Sequence, residues 1–183
     1  SSEPTLRKAL AIGADKAIRI DADPLDGYFV AKQISEYVKT SSYDLIIAGR
    51  ESIDYNGAMV PGLIAGFLKI NYVTNCTKLE IDNEKVELDR EIDGGKETLN
   101  CTLPLIIGGQ KGLVEESDLR IPNMRGIMQA RQKPLEVLEA FDCSSNTKTI
   151  KFYKPEPKQA VKLVSADNLD ELINLLHNEA KVL

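Results

Sequence analysis

The sequence predicts an α/β fold built on a parallel sheet, with a β-hairpin excursion and a C-terminal arm that ends in a helix. Helix-like and strand-like segments alternate over the first 70 residues, which is the pattern of βαβ units. Two apolar runs, YDLIIAG (43–49) and PLIIGG (104–109), end in glycine and are typical of parallel strands covered on both faces. Between them, residues 72–103 alternate in polarity with a period of two, which indicates antiparallel hairpins.

The first two elements are a helix at 3–13, closed by Gly13, and a strand at 17–20. A helix followed by a strand is the second half of a βαβ unit. We therefore expect the first strand of that unit to lie upstream of Ser1, in an amino-terminal part that this sequence does not contain.

Apolar residues at helical spacing predict the next helix over 27–40. The strand at 43–49 follows it, and a mostly apolar helix is expected at 58–69. Because nearly all of its residues are apolar, we expect this second helix to be buried against the sheet.

Three strand-like segments form the hairpin region, with turns expected at Asp82-Asn83 and Asp93-Gly94-Gly95. After the run at 104–109, a polar loop at 110–122 leads into a short helix at 123–132 and a strand at 135–140. These elements complete a domain that we place at residues 1–140.

Residues 141–183 are predicted to form the arm and its helix. DCSSNTK reads as a linker, TIKFYKP as strand-like, and the following proline-bearing stretch as extended. The amphipathic end is predicted as a helix capped by Ser165 or Asp167, and a lone helix cannot bury its own apolar stripe. That stripe either folds back on the domain or docks on a partner chain; its residues are Leu169, Leu172, Ile173 and Leu176.

Composition narrows the function classes. Apolar residues make up 43% and charged residues 28% of the 183 residues, as in an ordinary globular protein, and the net charge is −5. No Lys/Arg cluster is interleaved with aromatic residues, so we expect no nucleic-acid partner. No apolar run approaches the roughly 20 residues of a membrane span, so we expect no membrane insertion.

Cysteine and histidine usage argues against metal and nucleophilic chemistry. Cys76, Cys101 and Cys143 are widely spaced and odd in number, which favours a reducing compartment over a disulfide framework or a zinc site. The single histidine, His177, lies on the predicted last helix, where a surface position is expected. We therefore predict no metal site and no catalytic residue.

The turn between the strand at 43–49 and the next helix is the candidate binding site. Ligands of parallel α/β sheets sit outside the carboxyl ends of the strands, where Gly49 lies. Asn56-Gly57 allows a sharp turn, and Pro61 suits a first helical turn. The N–H groups of that helix start attract phosphate, Arg50 could reach it, and Asp54 could accept from a ribose hydroxyl.

The same turn also has a purely structural interpretation. There is no GxxxxGK[ST] and no GxGxxG in the chain. In that interpretation Asp54 is an Asx-turn residue and Arg50 a solvated charge. The residues alone leave both interpretations open.

Several co-linear segments resemble the beta-subunit family of electron transfer flavoproteins. They are ALAIGADKAIRI (9–20), GRESIDYNGAMVPGLIAGFL (49–68), REIDGG (90–95) and RIPNMRGIM (120–128), within a match over about residues 4 to 140. The resemblance implies a Rossmann-like, adenine-nucleotide-binding α/β domain in a heterodimer. It also implies an FAD shared with, and mainly held by, an alpha subunit.

The resemblance further implies a structural AMP in this chain, replaced by a second FAD in electron-bifurcating relatives. The AMP-type turn usually has an amide and a threonine where this chain has Ala58, Met59 and Val60. The expected nucleotide is therefore either AMP, which is the first choice, or FAD. The implied cofactor-binding residues are Gly49, Arg50, Glu51, Ser52, Ile53, Asp54, Tyr55, Asn56, Gly57, Ala58, Met59 and Val60.

Partner contacts are also implied by the resemblance. Glu91 matches an acidic residue that pairs with the mobile flavin domain of the alpha subunit, and Met124 matches the apolar tip of a loop that anchors flavin dehydrogenases. Arg120 and Arg125 flank that tip as steering charges. Without the resemblance, Glu91 would be an ordinary surface acid and Met124 a side chain packed under its own loop.

Three functions stay open at this point. The first is an electron-carrier subunit between flavin dehydrogenases and a quinone oxidoreductase, in the cytoplasm of a bacterium or the mitochondrial matrix of a eukaryote. The second is an electron-bifurcating variant. The third is a stand-alone adenine-nucleotide module of the universal-stress type, although its Gly-x-x-Gly-x(9)-Gly-[Ser/Thr] loop does not occur here.

Overall fold

A computed structural model describes residues 2–53, 55–158 and 160–182. The chain divides into two units, with the division between Lys148 and Thr149. Residues 141–148 thus lie with the first unit.

The first unit alternates helices and strands in the order that the sequence predicts. Its α-helices are α1 (Glu3–Ile12), α2 (Gly27–Val38), α3 (Met59–Leu68) and α4 (Met124–Ala130), with a 3₁₀ turn at Glu116–Asp118. Its strands are β1 (Ala17–Asp21), β2 (Leu45–Gly49), β3 (Asn71–Asp82), β4 (Lys85–Ile92), β5 (Gly95–Thr102), β6 (Leu105–Gly109) and β7 (Leu135–Glu139).

A five-stranded sheet carries the candidate site. Its order is β2-β6-β3-β4-β5, in which β2, β6 and the start of β3 are parallel and the rest is an antiparallel meander. β1 and β7 form a separate parallel pair. The α/β, Rossmann-like class is confirmed. The predicted hairpin excursion is a continuation of this sheet, because β3 pairs with β6 before it pairs with β4.

Two apolar layers cover the centre of this sheet. On one side Ile106 of β6 packs with Ala31 of α2 and with Ile64 and Ala65 of α3. On the other side β6 and the meander share a buried cluster formed by Val73, Cys76, Val86, Leu88, Leu105 and Ile107. β6 is therefore buried along Leu105–Gly108, as PLIIGG predicts.

The prediction that the run at 43–49 is covered on both faces is wrong for the described part of the chain. Ile47, in the middle of β2, is 61% exposed. Within the described residues β2 pairs with β6 alone, so one side of the strand meets no neighbouring strand. The expected burial of α3 against the sheet is confirmed, through Pro61, Ile64 and Ala65.

The second unit differs from the sequence prediction at two places. TIKFYKP forms no strand, because no other segment of the described chain pairs with it. The last helix, α5 (Leu169–Asn174), continues as a π-helical turn to Glu179. Neither Ser165 nor Asp167 caps it: Asn168 does, by accepting a 3.3 Å hydrogen bond from the Glu171 N–H. His177 is exposed.

Candidate functional site

The turn that follows β2 is closed by its own backbone. The Arg50 N–H donates to the Gly109 carbonyl at 3.1 Å, which continues the pairing one residue past the end of β2. Ser52 and Gly57 then exchange two backbone hydrogen bonds of 3.0 and 3.2 Å. Asn56 adopts a left-handed conformation with φ of 48°, as the expected sharp turn requires. Asp54 lies outside the described residues.

Among the residues that the structure describes, no side chain caps the start of α3. Ala58 is its N-cap residue and forms no side-chain hydrogen bond to the helix. The N–H groups of Ala58, Met59 and Val60 have no acceptor inside the helix, and Pro61 has no N–H to offer. These three donors at the positive end of the helix dipole fit the phosphate group of the nucleotide that the resemblance implies.

The side chains of the turn are mostly exposed, and several apolar ones are among them. Ile53 is 90% exposed, and Tyr55 and Met59 also face solvent. Met59 lies against Gly27 at the start of α2. A β-carbon on residue 27 would collide with the sulfur of Met59. Arg50, expected at the phosphate, forms an ion pair with Glu51.

A polar cavity of about 510 Å³ joins this turn to the hairpins. Arg50 lines it together with Glu91 and Asp93 of REIDGG, so two separate segments of the sequence prediction meet at one place. The Gln110 amide donates a 2.8 Å hydrogen bond to the Glu91 carboxylate, and the Asn75 amide donates to the Glu91 carbonyl at 3.4 Å.

Sequence reasoning missed Asn75 and Arg90 in this cavity wall, and it missed Gln110, which donates to the Glu91 carboxylate. Gln110 follows β6 directly, and Asn75 lies at the bulge where β3 leaves β6. Carboxyl ends of neighbouring parallel strands share one edge of a sheet, so the residue after PLIIGG could have been found. Asn75 could not, because no pattern marks the bulge.

The loop before α4 presents an apolar tip. Met124 is 75% exposed, and Ile121, which sequence reasoning missed, is 83% exposed. Asn123 fixes the loop by accepting a 2.8 Å hydrogen bond from the Gly126 N–H. Arg120 and Arg125 are exposed beside the tip. This loop belongs to the α1–α4 packing cluster rather than to the five-stranded sheet.

Two further findings concern chemistry and membranes. Over residues 2–53, 55–158 and 160–182, no three His, Cys, Asp or Glu side chains converge as metal ligands would. None of the helices in those ranges combines the length and apolarity needed to span a bilayer.

Comparison with known proteins identifies the family. The sequence profile of the electron transfer flavoprotein domain matches residues 1–142. The electron transfer flavoprotein subunit beta of Bacillus subtilis is 38% identical over 100% of this chain and 75% of its own length. The corresponding subunits of Syntrophomonas wolfei and Sus scrofa are 33% and 28% identical. They align with 85% and 98% of this chain and 61% and 72% of their own lengths. The chain therefore belongs to the electron transfer flavoprotein family, and these relatives are beta subunits.

Proposed function

We propose that the chain is the electron-carrying beta subunit of a heterodimeric electron transfer flavoprotein. In this role it takes electrons from flavin dehydrogenases and passes them to a quinone oxidoreductase through an FAD that an alpha subunit mainly holds. The supporting observation is the cavity where Arg50 of the nucleotide-type turn meets Glu91 of REIDGG, because both segments are among those that resemble the family.

The turn and the start of α3 hold a structural AMP in this proposal. The Ala58, Met59 and Val60 N–H groups bind the phosphate, and Gly57 leaves open space in which a β-carbon would meet no atom within 4 Å. The bound nucleotide joins β2 to α3 and stabilises the domain. An FAD at the same turn is the alternative of an electron-bifurcating protein.

This chain contributes binding and orientation rather than bond-making chemistry. The flavin, when bound, supplies the one- and two-electron chemistry. Glu91 holds the mobile flavin domain of the alpha subunit by an exposed ion pair, which is weak enough to break during motion. Met124 inserts into the dehydrogenase, with Arg120 and Arg125 steering the approach.

The nucleotide content of the purified complex tests the proposal. The chain is co-expressed with the alpha subunit of its own organism, and the yellow complex is denatured and its nucleotides are quantified. One FAD and one AMP per heterodimer are expected. Two FAD would assign the bifurcating alternative, and a colourless homodimer would assign the stand-alone nucleotide-binding module.

The location of the protein is part of the same proposal. A bacterial carrier of this kind works in the cytoplasm and a eukaryotic one in the mitochondrial matrix. Fractionation of the source cells, followed by detection of the chain in the soluble or membrane fraction, tests that assignment.

A further inference from the structure

A groove of about 510 Å³ lies between α1 and α4. Its floor is apolar, and its rim carries exposed cations. The apolar lining, or floor, consists of Pro4, Ala11, Pro122, Ile127 and Ala130, and the exposed cations of the lining, or rim, are Lys8 and Arg131.

The walls of the groove are fixed by two other cations. Arg7 donates from one guanidinium nitrogen to the Ala130 and Lys133 carbonyls, at 2.9 and 3.0 Å. The Lys133 ammonium donates to the Leu10 and Ala14 carbonyls, at 3.0 and 2.6 Å. These bonds satisfy carbonyls near the ends of α4 and α1, so the groove is formed before any partner arrives.

The rim cations have no such partner. Across the described residues, no carboxylate forms an ion pair with Lys8 or Arg131. Segment 4–14 contains two basic residues and segment 119–133 contains four. Neither segment contains an acidic residue, although the whole chain has a net charge of −5. Acidic residues flank both segments, and Glu3 at the start of α1 forms an ion pair with Arg7, so the excess positive charge of the groove comes from Lys8 and Arg131.

The apolar part of this face continues out of the groove. Ile121 and Met124 stand exposed on the loop that forms one wall, and Met128 stands exposed on α4. Segments 4–14 and 119–133 contain no aromatic residue, and aromatic side chains are what a nucleic-acid surface uses to stack bases. The aliphatic floor is complementary to an apolar side of a protein segment, and the unpaired cations are complementary to acidic residues that flank that side.

We propose that the α1–α4 groove receives an acidic amphipathic segment of the electron-donating dehydrogenase. The Met124 loop then enters the dehydrogenase while the dehydrogenase enters the groove, so the two proteins interlock. The proposal rests on the proposed carrier function and adds a second, charged half to the docking surface.

Electron transfer kinetics of the intact heterodimer test this surface. The probe is a purified flavin dehydrogenase from the same organism, assayed with the heterodimer as electron acceptor. We expect Lys8→Glu/Arg131→Glu to raise the KM for the heterodimer about tenfold at low ionic strength with kcat unchanged, and the effect to shrink as salt screens the charges. Ala11→Leu, which narrows the floor, is expected to raise KM at every salt concentration.

Lys85→Glu/Lys148→Glu serves as the matched control, because it changes the net charge equally at two exposed lysines away from the groove. A KM that rises equally in the control, or that stays unchanged in both groove variants, would overturn the proposal. Binding to duplex DNA and to anionic vesicles is compared for the wild-type heterodimer and the double variant. If the double variant loses that binding while its KM for the dehydrogenase reaction stays normal, the proposal would also be overturned. A wild-type heterodimer that accepts no electrons would instead refute the carrier function, and the groove proposal with it.

Discussion

The side-chain amide of Gln110 donates a 2.8 Å hydrogen bond to the carboxylate of Glu91, across 19 residues of sequence. The bond fixes one oxygen of Glu91, and within the described part of the chain no hydrogen bond holds the other, which can pair with a cation of a partner. β3 positions Gln110, because the Gln110 N–H donates a 2.8 Å hydrogen bond to the Cys76 carbonyl. The orientation of Glu91 is thus set within the sheet, where Glu91 also pairs with Lys96 as part of β4.

Replacing Glu91 by Gln is expected to slow electron transfer in the heterodimer about two- to fivefold, because an exposed ion pair contributes about 0.2–1 kcal/mol. The FAD content should stay unchanged, since the flavin is held mainly by the alpha subunit. Stopped-flow reduction by a dehydrogenase measures the rate. Glu84→Gln, at the other hairpin turn, is the control, and equal rates in both variants would remove Glu91 from the partner contact.

Met124→Ala is expected to raise the KM of the dehydrogenase for the heterodimer about fivefold or more, because an apolar anchor typically contributes over 1 kcal/mol. FAD content and thermal stability should not change, since Met124 is largely exposed. Ile81→Ala, at an exposed apolar position on β3, controls for lost surface area. If Ile121→Ala raises KM and Met124→Ala does not, the docking tip lies three residues earlier than predicted.

Met59→Asp tests the phosphate site at the start of α3. An acid in a first helical turn stabilises a helix by about 0.3–1 kcal/mol, yet it repels an anionic ligand bound there. The helix-dipole gain offsets the lost contact of Met59 with Gly27, so the nucleotide-free chain should unfold close to the wild-type temperature, while AMP recovered from the heterodimer falls about tenfold. Met59→Asn has a similar shape without the charge and should retain more AMP. Full AMP content in the Asp variant would place the nucleotide elsewhere.

Sequence patterns were sufficient for the α/β class and the meander because these depend on local rules. The turns expected at Asp82-Asn83 and Asp93-Gly94-Gly95 occur, with Asn83 at φ 55° and Gly94 at φ 85°. Residues that tolerate positive φ mark such turns whatever the rest of the fold does.

Local sequence patterns could not predict that β2 is exposed or that TIKFYKP forms no strand. An apolar run indicates that a segment can be buried. Whether the segment is buried depends on which elements pack beside it in the fold. The same limit applies to the site: Arg50 and Glu91 were predicted, whereas Asn75 joins them only because a bulge turns β3 there.

The attachment of residues 141–148 to α2 provides a stability prediction. Gln33 accepts from the Phe141 N–H and donates to the Phe141 carbonyl, both at 2.7 Å, and it is buried. Gln33→Leu leaves both backbone groups without that partner, so we expect the free energy of unfolding to fall by about 1–3 kcal/mol. Urea denaturation measures it, with the exposed Gln132→Leu as control. Equal midpoints for the two variants would contradict the prediction.

Asp26 makes the second attachment and gives it a pH dependence. One oxygen accepts from the Phe29 N–H at 2.7 Å and caps α2, and the other accepts from the Asn146 and Thr147 N–H groups at 2.7 Å. Burial acts to raise the pKa of Asp26, but these hydrogen bonds outweigh it and hold the pKa below the ordinary 3.8.

A carboxyl whose pKa is lowered by folding stabilises the folded state above its unfolded pKa and loses that stabilisation as the pH falls. We therefore expect the free energy of unfolding to drop as the pH is lowered through about 4, and this drop to be smaller in Asp26→Asn, which has no charge to lose. Asp26→Ala removes the cap as well and should cost about 1 kcal/mol at neutral pH. Urea titrations of the three proteins between pH 7 and pH 3 measure both effects, and parallel pH profiles for wild type and Asp26→Asn would show that this carboxylate does not set the acid sensitivity.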